Sequence, residues 1–168
     1  MIATAIPAGF AAGLFGIGGG LVTVPILFYI FSFSGIETAY VMHLAVGTSF
    51  GIIIPTSTVS VLTHHQHKAV DFSIVKGFGF FVATGVILGT IFAASLETKP
   101  LILFFTIIVY VLAFYLLFLK EKETNIEIKI GLFSKAISGI VSGFISAPMG
   151  IGGAVMNVPI FKYFGYSI

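Results

Sequence analysis

The sequence predicts an all-α protein: a polytopic membrane helix bundle with two internal repeats, each opened by a broken or re-entrant Gly-rich helix. Three observations carry that expectation. The 168 residues are 58% hydrophobic and only 8% charged, with a mean hydropathy of +1.15, so the apolar runs are too long and too frequent for a soluble core. Within the run from Ile2 to Phe31, Gly16-Ile17-Gly18-Gly19-Gly20 places four glycines in five residues. Each costs a helix interior about 1 kcal/mol relative to Ala, so the helix breaks there. The break then returns: with Gly9 aligned on Gly143, Gly9 to Tyr29 and Gly143 to Tyr163 match without a gap at ten of twenty-one positions, Gly-Phe, Gly-Ile-Gly-Gly and Val-Pro among them. A duplicated chain with one broken apolar element opening each half explains the match.

Composition also excludes. Eight basic residues, all Lys, against six acidic ones give no basic surface for nucleic acid. The absence of cysteine removes disulfides, thiolate metal sites and thiol catalysis. No HExxH, GxSxG or pair of intramembrane carboxylates is present, so the chain is not read as an enzyme and no cofactor is expected. The N-terminus has no positive n-region, and its apolar run is longer than a signal-peptide core, so it reads as an element that stays in the membrane.

The first element, Ile2 to Phe31, is longer than the roughly 20 residues one spanning helix needs; two half-helices flanking the glycines account for the excess. The second runs from Thr38 to about Leu62, interrupted by Pro55, and carries His43, Thr48, Ser49, Thr56, Ser57, Thr58 and Ser60. So many hydroxyls predict a face turned to protein or water rather than lipid, through helix packing or through substrate. His64, His65 and His67 sit in a polar loop without a ligand spacing that completes a metal site. The third element, Phe72 to Ser95, has Gly85 and Gly89 at GxxxG spacing for close helix approach. The fourth, Leu101 to Leu119, lacks a polar face and is expected to be the most lipid-exposed. The fifth, Ile130 to about Tyr166, repeats the first.

These elements divide the chain into a first repeat over 1–119, a cytoplasmic linker over 120–129 and the start of an incomplete second repeat over 130–168. Lys68, Lys76, Lys120, Lys122, Lys129 and Lys135 flank the second and fourth connections and place both in the cytoplasm, which makes this a multi-pass protein of the cell membrane. The lysines do not decide whether the repeats are parallel or inverted. A second half as long as the 134-residue offset from Gly9 to Gly143 would run well past Ile168, so the chain reads as a fragment.

A break at membrane depth strands backbone N–H and C=O groups, which must face protein, water or a ligand. Half-helices starting at Leu21 and Ala154 would point free N–H groups and partial positive charge at the midplane, a site for an anion. The candidate substrate-binding residues are therefore Gly18, Gly19, Gly20 and Leu21 at the first break and Gly152, Gly153 and Ala154 at the second. Thr23 and Asn157, at equivalent places in the two copies, join Thr48 and Ser49 as side-chain ligands. His43, one turn into the second element, either bonds a neighbouring carbonyl or serves proton coupling.

At this point the residues carry a resemblance. Gly9 through Pro25, then Ala45-Val46-Gly47-Thr48-Ser49, then the second Gly-Ile-Gly-Gly run, resemble the sulfite exporter TauE/SafE (TSUP) family. The resemblance implies a permease or exporter that moves small anionic, mostly sulfur-containing compounds such as sulfite and sulfonates across the cytoplasmic membrane, with the bilayer and a small anion as its partners. A homodimer stays open, and a membrane scaffold subunit without transport is the alternative from another class.

Overall fold

The computed structural model describes residues 19–67, 72–118, 131–153 and 156–157. Among these residues all regular structure is helical: α1 (Gly20–Phe33), α2 (Val41–Gln66), α3 (Phe72–Ser95), α4 (Thr98–Phe118) and α5 (Leu132–Met149). The last four are long and apolar enough to cross a membrane, whereas α1, with 14 residues, is about 21 Å long and reaches only part of the way. The 120–129 linker lies outside the described residues, as does the half of the first element before the glycines.

The third element occupies the span its sequence predicts, and α4 starts one turn earlier than expected because Pro100 fits a first helical turn, where its missing N–H is no loss. The second element corrects an expectation. It is not interrupted at Pro55 but runs as one helix of 26 residues. Thr56 donates to the carbonyls of Ile52 and Ile53, and Ser57 and Thr58 donate to that of Ile54; the helix continues through the proline, whose missing N–H deprives Gly51 O rather than these carbonyls of its usual donor.

Two glycine pairs set the packing of α3 on α5. A Cβ on Gly85 would lie 2.2 Å from the Ile140 carbonyl oxygen, one on Gly89 2.4 Å from that of Phe144, and one on Gly143 2.2 Å from that of Val82. Both GxxxG pairs, Gly85/Gly89 and Gly139/Gly143, are thus used at once, backbone against backbone. The register advances in the same direction along both helices, so they run parallel. Lys135 Nζ reaches to 3.9 Å of a Cβ built on Gly77, which brings lysine-flanked ends of α3 and α5 together, as the charge pattern predicts.

At the opposite end, α1 turns back into α2 through Gly35, and Thr98 Oγ1 donates to Ala39 O at 2.5 Å, tying the start of α4 to this loop. The core between these elements is built by Val24, Met42, Ala45, Val46, Ala93, Leu101, Phe105, Met149 and Ile151. Burial divides α2 into a covered first half and an exposed second half. After Val46, Ser49 is the single buried position of α2, while α4 buries Leu101, Phe105 and Leu112. Hydroxyl content marks a face that packs poorly against lipid, but it does not supply the neighbour that covers it.

Candidate functional site

The two breaks meet. A Cβ on Gly20 would lie 2.2 Å from the Gly150 carbonyl oxygen and 2.8 Å from Ile151 Cα, so the N-terminus of α1 sits directly on the C-terminus of α5. Only a glycine allows that approach. α5 stops because Gly150 takes the left-handed conformation at φ 62°. Its N–H donates to Ala147 O at 3.1 Å and that of Ile151 to Ser146 O at 3.2 Å, the paired bonds that close a helix C-terminus. The negative end of α5 is thereby partly satisfied within its own turn.

The next half-helix starts the same way as α1. Gly19 O accepts from the N–H groups of Val22 at 3.2 Å and Thr23 at 2.8 Å; Gly153 O accepts from Met156 at 3.1 Å and Asn157 at 2.9 Å. These are equivalent positions in the two copies, although Gly19 is right-handed and Gly153 has φ 77°. The geometry of a helix start leaves the N–H groups of Gly20 and Leu21 without an intrahelical carbonyl.

Ser49, fully buried, links both breaks. Its hydroxyl donates to Gly150 O at 2.9 Å and lies 3.0 Å from Thr23 Oγ1, which is 2.9 Å from Gly19 O. Two hydroxyls carry two protons for these three contacts, so one contact is always unmade. Gly19 O already holds backbone donors, so the arrangement that satisfies most groups runs from Thr23 to Ser49 to Gly150 O.

The structure therefore brings Gly19, Gly20, Thr23 and Ser49 together at Gly150, with Leu21 next to Gly20, while Gly153 and Asn157 follow Gly150 by three and seven residues and are tied to each other and to Ser142. Thr48 falls on the other side of α2 and is exposed, because adjacent helical residues are turned about 100° apart. Gly152 is exposed too, with the Ile53 side chain 3.4 Å from its would-be Cβ. Gly18 and Ala154 lie outside the described residues. Two residues on α5 were not among the candidates. Ser142, 1% exposed, donates to Asn157 Oδ1 at 2.5 Å, and Ser146, 4% exposed, is a buried hydroxyl with no partner. The signal that finds them is the i, i+4 spacing of hydroxyls leading into the second break, where the first copy has Ala8 and Ala12.

A cavity of about 770 Å³ opens at the other end of α1 and α2, lined by Phe28, Tyr40, His43, Glu97, Lys99 and Ile102 among others. It is separate from the glycine breaks. His43 borders it and bonds Ala93 O through Nε2 at 3.1 Å, the carbonyl contact expected of it, which ties α2 to α3. Because a carbonyl only accepts, that bond puts a proton on Nε2. Six residues separate His43 from Ser49 on α2, about 9 Å along the helix. No group of three or more metal-ligating side chains occurs among the described residues.

The sulfite exporter TauE/SafE family profile matches residues 1–168. A probable membrane transporter protein of Haemophilus influenzae is 32% identical over 161 residues, which cover 96% of this chain and 61% of that protein. A probable membrane transporter protein of Methanocaldococcus jannaschii is 28% identical over 163 residues, covering 95% of this chain and 60% of its own length. One of Xylella fastidiosa is 36% identical over 117 residues, 68% of this chain and 42% of that protein. This chain thus spans about three-fifths of the first two relatives, and no solved structure matches it. Four helices able to cross a membrane and a family match over residues 1–168 lead to one conclusion: this multi-pass membrane protein belongs to the sulfite exporter TauE/SafE family.

Proposed function

We propose that the protein forms part of a membrane transporter for small anions, sulfite, sulfonates or related sulfur oxyanions, and that the substrate binds at the junction of the two glycine breaks. The observation that carries this reading is the contact between Gly20 and Gly150, which joins one helix start to the end of another inside an apolar bundle. The N–H groups of Gly20 and Leu21, without an intrahelical carbonyl, lie at the positive end of α1, and the negative end of α5 is partly satisfied by its own turn and by Ser49, so the balance of partial charge favours an anion. The family name and the names of the relatives agree with a transporter of this kind. The substrate class comes from the family name, and the donors at the junction are chemically suited to it. Proton coupling through His43 belongs to the same reading.

Flux of radiolabelled sulfite into proteoliposomes tests it. A Cβ at Gly19 has only Thr23 Cγ2 near it, at 4.0 Å, so Gly19→Leu adds bulk to the junction without a backbone clash. Gly19→Leu abolishes flux while membrane insertion is kept; unchanged flux refutes the site.

A further inference from the structure

We infer that Ser146 is a hydrogen-bond donor to the bound anion and that Ser142 is a positioning residue that aims the carboxamide of Asn157 at the same place. This rests on the anion-site reading above and extends it to two residues of α5. The first observation is chemical. Most hydroxyls on these helices bond a carbonyl three or four residues back, as Thr56, Thr58, Thr84, Thr90 and Ser138 do. Ser146 does not: its Oγ is buried and unpartnered, one turn before Gly150. A buried hydroxyl left unpaired costs about 1–3 kcal/mol, so an unspent donor here is retained at a cost to stability.

The second observation is directional. Ser142 lies one turn earlier on the same face of α5 and reaches across the break to Asn157, so this face looks toward the start of the second half-helix. Ser142 donates to Oδ1, which leaves the Nδ2 amide group as the free end of the side chain. Nδ2 lies 3.3 Å from where a Cβ on Gly153 would be, beside the backbone of the break. The bond from Ser142 thus decides that Asn157 presents hydrogens, not a carbonyl oxygen, to the junction, the polarity an anion requires.

The third observation is the comparison of copies. The counterparts of Ser142 and Ser146 in the first repeat are Ala8 and Ala12, and that of Asn157 is Thr23. The hydroxyl donors of the second break have no equivalent on the matching face of the first, where Thr23 instead pairs with Ser49 from α2. The two breaks are chemically unequal, and the second supplies the unspent side-chain donors to the anion.

Binding of sulfite, with methanesulfonate as a second probe, measured by isothermal titration on the detergent-solubilised protein alongside helix melting by circular dichroism, separates this role from a structural one. Ser146→Ala should weaken binding about tenfold, the worth of one bond to a charged group, while the ligand-free melting temperature stays level or rises. Ser142→Ala should weaken binding by a similar factor, and Asn157→Asp, which keeps the acceptor for Ser142 but replaces the amide hydrogens by a carboxylate, should abolish it. Wild-type affinity in Ser146→Ala overturns the inference and leaves the anion site standing. Failure of wild-type protein to bind either probe overturns both.

Discussion

Gly20→Ala is the sharpest test of how the two breaks fit together. The added Cβ would lie 2.2 Å from Gly150 O, 2.8 Å from Ile151 Cα and 2.9 Å from Gly150 C. All three are backbone atoms, so no side chain can swing aside. Reaching an ordinary contact of 3.4 Å requires the start of α1 to move about 1.2 Å from the end of α5. Ser49 lies on α2 but is bonded to α1 through Thr23 at 3.0 Å, so a shift of α1 away from α5 draws it from Gly150 and the 2.9 Å Ser49–Gly150 bond does not survive. Overpacking costs about 1–3 kcal/mol and the stranded carbonyl about 1–3 kcal/mol more, against a helix-propensity gain of at most about 1 kcal/mol for Ala over Gly. The net loss is roughly 1–5 kcal/mol, and at about 2–4 °C per kcal/mol for a chain of this size the melting temperature falls by about 2–20 °C. The chain has no Trp, so unfolding is followed by far-ultraviolet circular dichroism. In a double-mutant cycle, Ser49→Ala should add little to Gly20→Ala, because the bond it removes is already broken. A melting temperature within about 2 °C of wild type, or full additivity of the two substitutions, would refute the contact.

Other substitutions follow from the same geometry. Ser49→Ala alone should cost about 1–3 kcal/mol by leaving Gly150 O without its donor, whereas exposed Thr48→Ala should stay within about 0.5 kcal/mol of wild type in the same melt. Gly143→Ala, 2.2 Å from Val82 O, should push α3 and α5 apart and lower the melting temperature, while Gly79→Ala, with nothing within 4 Å, should leave it unchanged or raise it by up to about 1 kcal/mol in stability. Gly150→Ala places an L-residue at φ 62° with Val24 Cγ2 at 3.0 Å; it should cost at least about 1–2 kcal/mol from the backbone alone, read as a loss of helical signal on heating.

The helices were legible in the sequence because hydropathy and length decide what crosses a bilayer, and the third element emerged with both ends correct. The second did not, since Pro55 reads as an interruption, although the helix continues through it and the missing N–H deprives only Gly51 O of its usual donor. The backbone of the proposed site was foreshadowed by its glycines. The repeat of Gly-Ile-Gly-Gly predicts two breaks, and the matching bonds to Gly19 O and Gly153 O give them the same first turn. Side chains were harder. Thr48 and Ser49 are adjacent and equally polar, yet a helix sends them to different faces, and which face meets the break depends on a neighbour 101 residues away in sequence. Ser142 and Ser146 were hidden for the same reason: a serine on a glycine-spaced helix reads as packing until its hydroxyl is found without a local carbonyl.

Glycine itself carries several different meanings in this chain, and composition does not separate them. Gly20, Gly85 and Gly143 are small because another backbone occupies the volume of a side chain; Gly150 and Gly153 bend the chain where an L-residue is strained; Gly47, Gly51 and Gly79 have open space around them. The first group holds the bundle together, and through Gly20 it also holds the site together, because the same contact that closes α1 on α5 brings Ser49 within reach of Gly150 O. Packing and binding are therefore not separable at Gly20: a change that loosens the contact by one ångström removes a bond in the site. At Gly19, one residue earlier, a Cβ meets only Thr23 Cγ2, at 4.0 Å, among the described residues, so the chain can be altered there without disturbing their packing. The boundary between scaffold and site falls between two adjacent glycines.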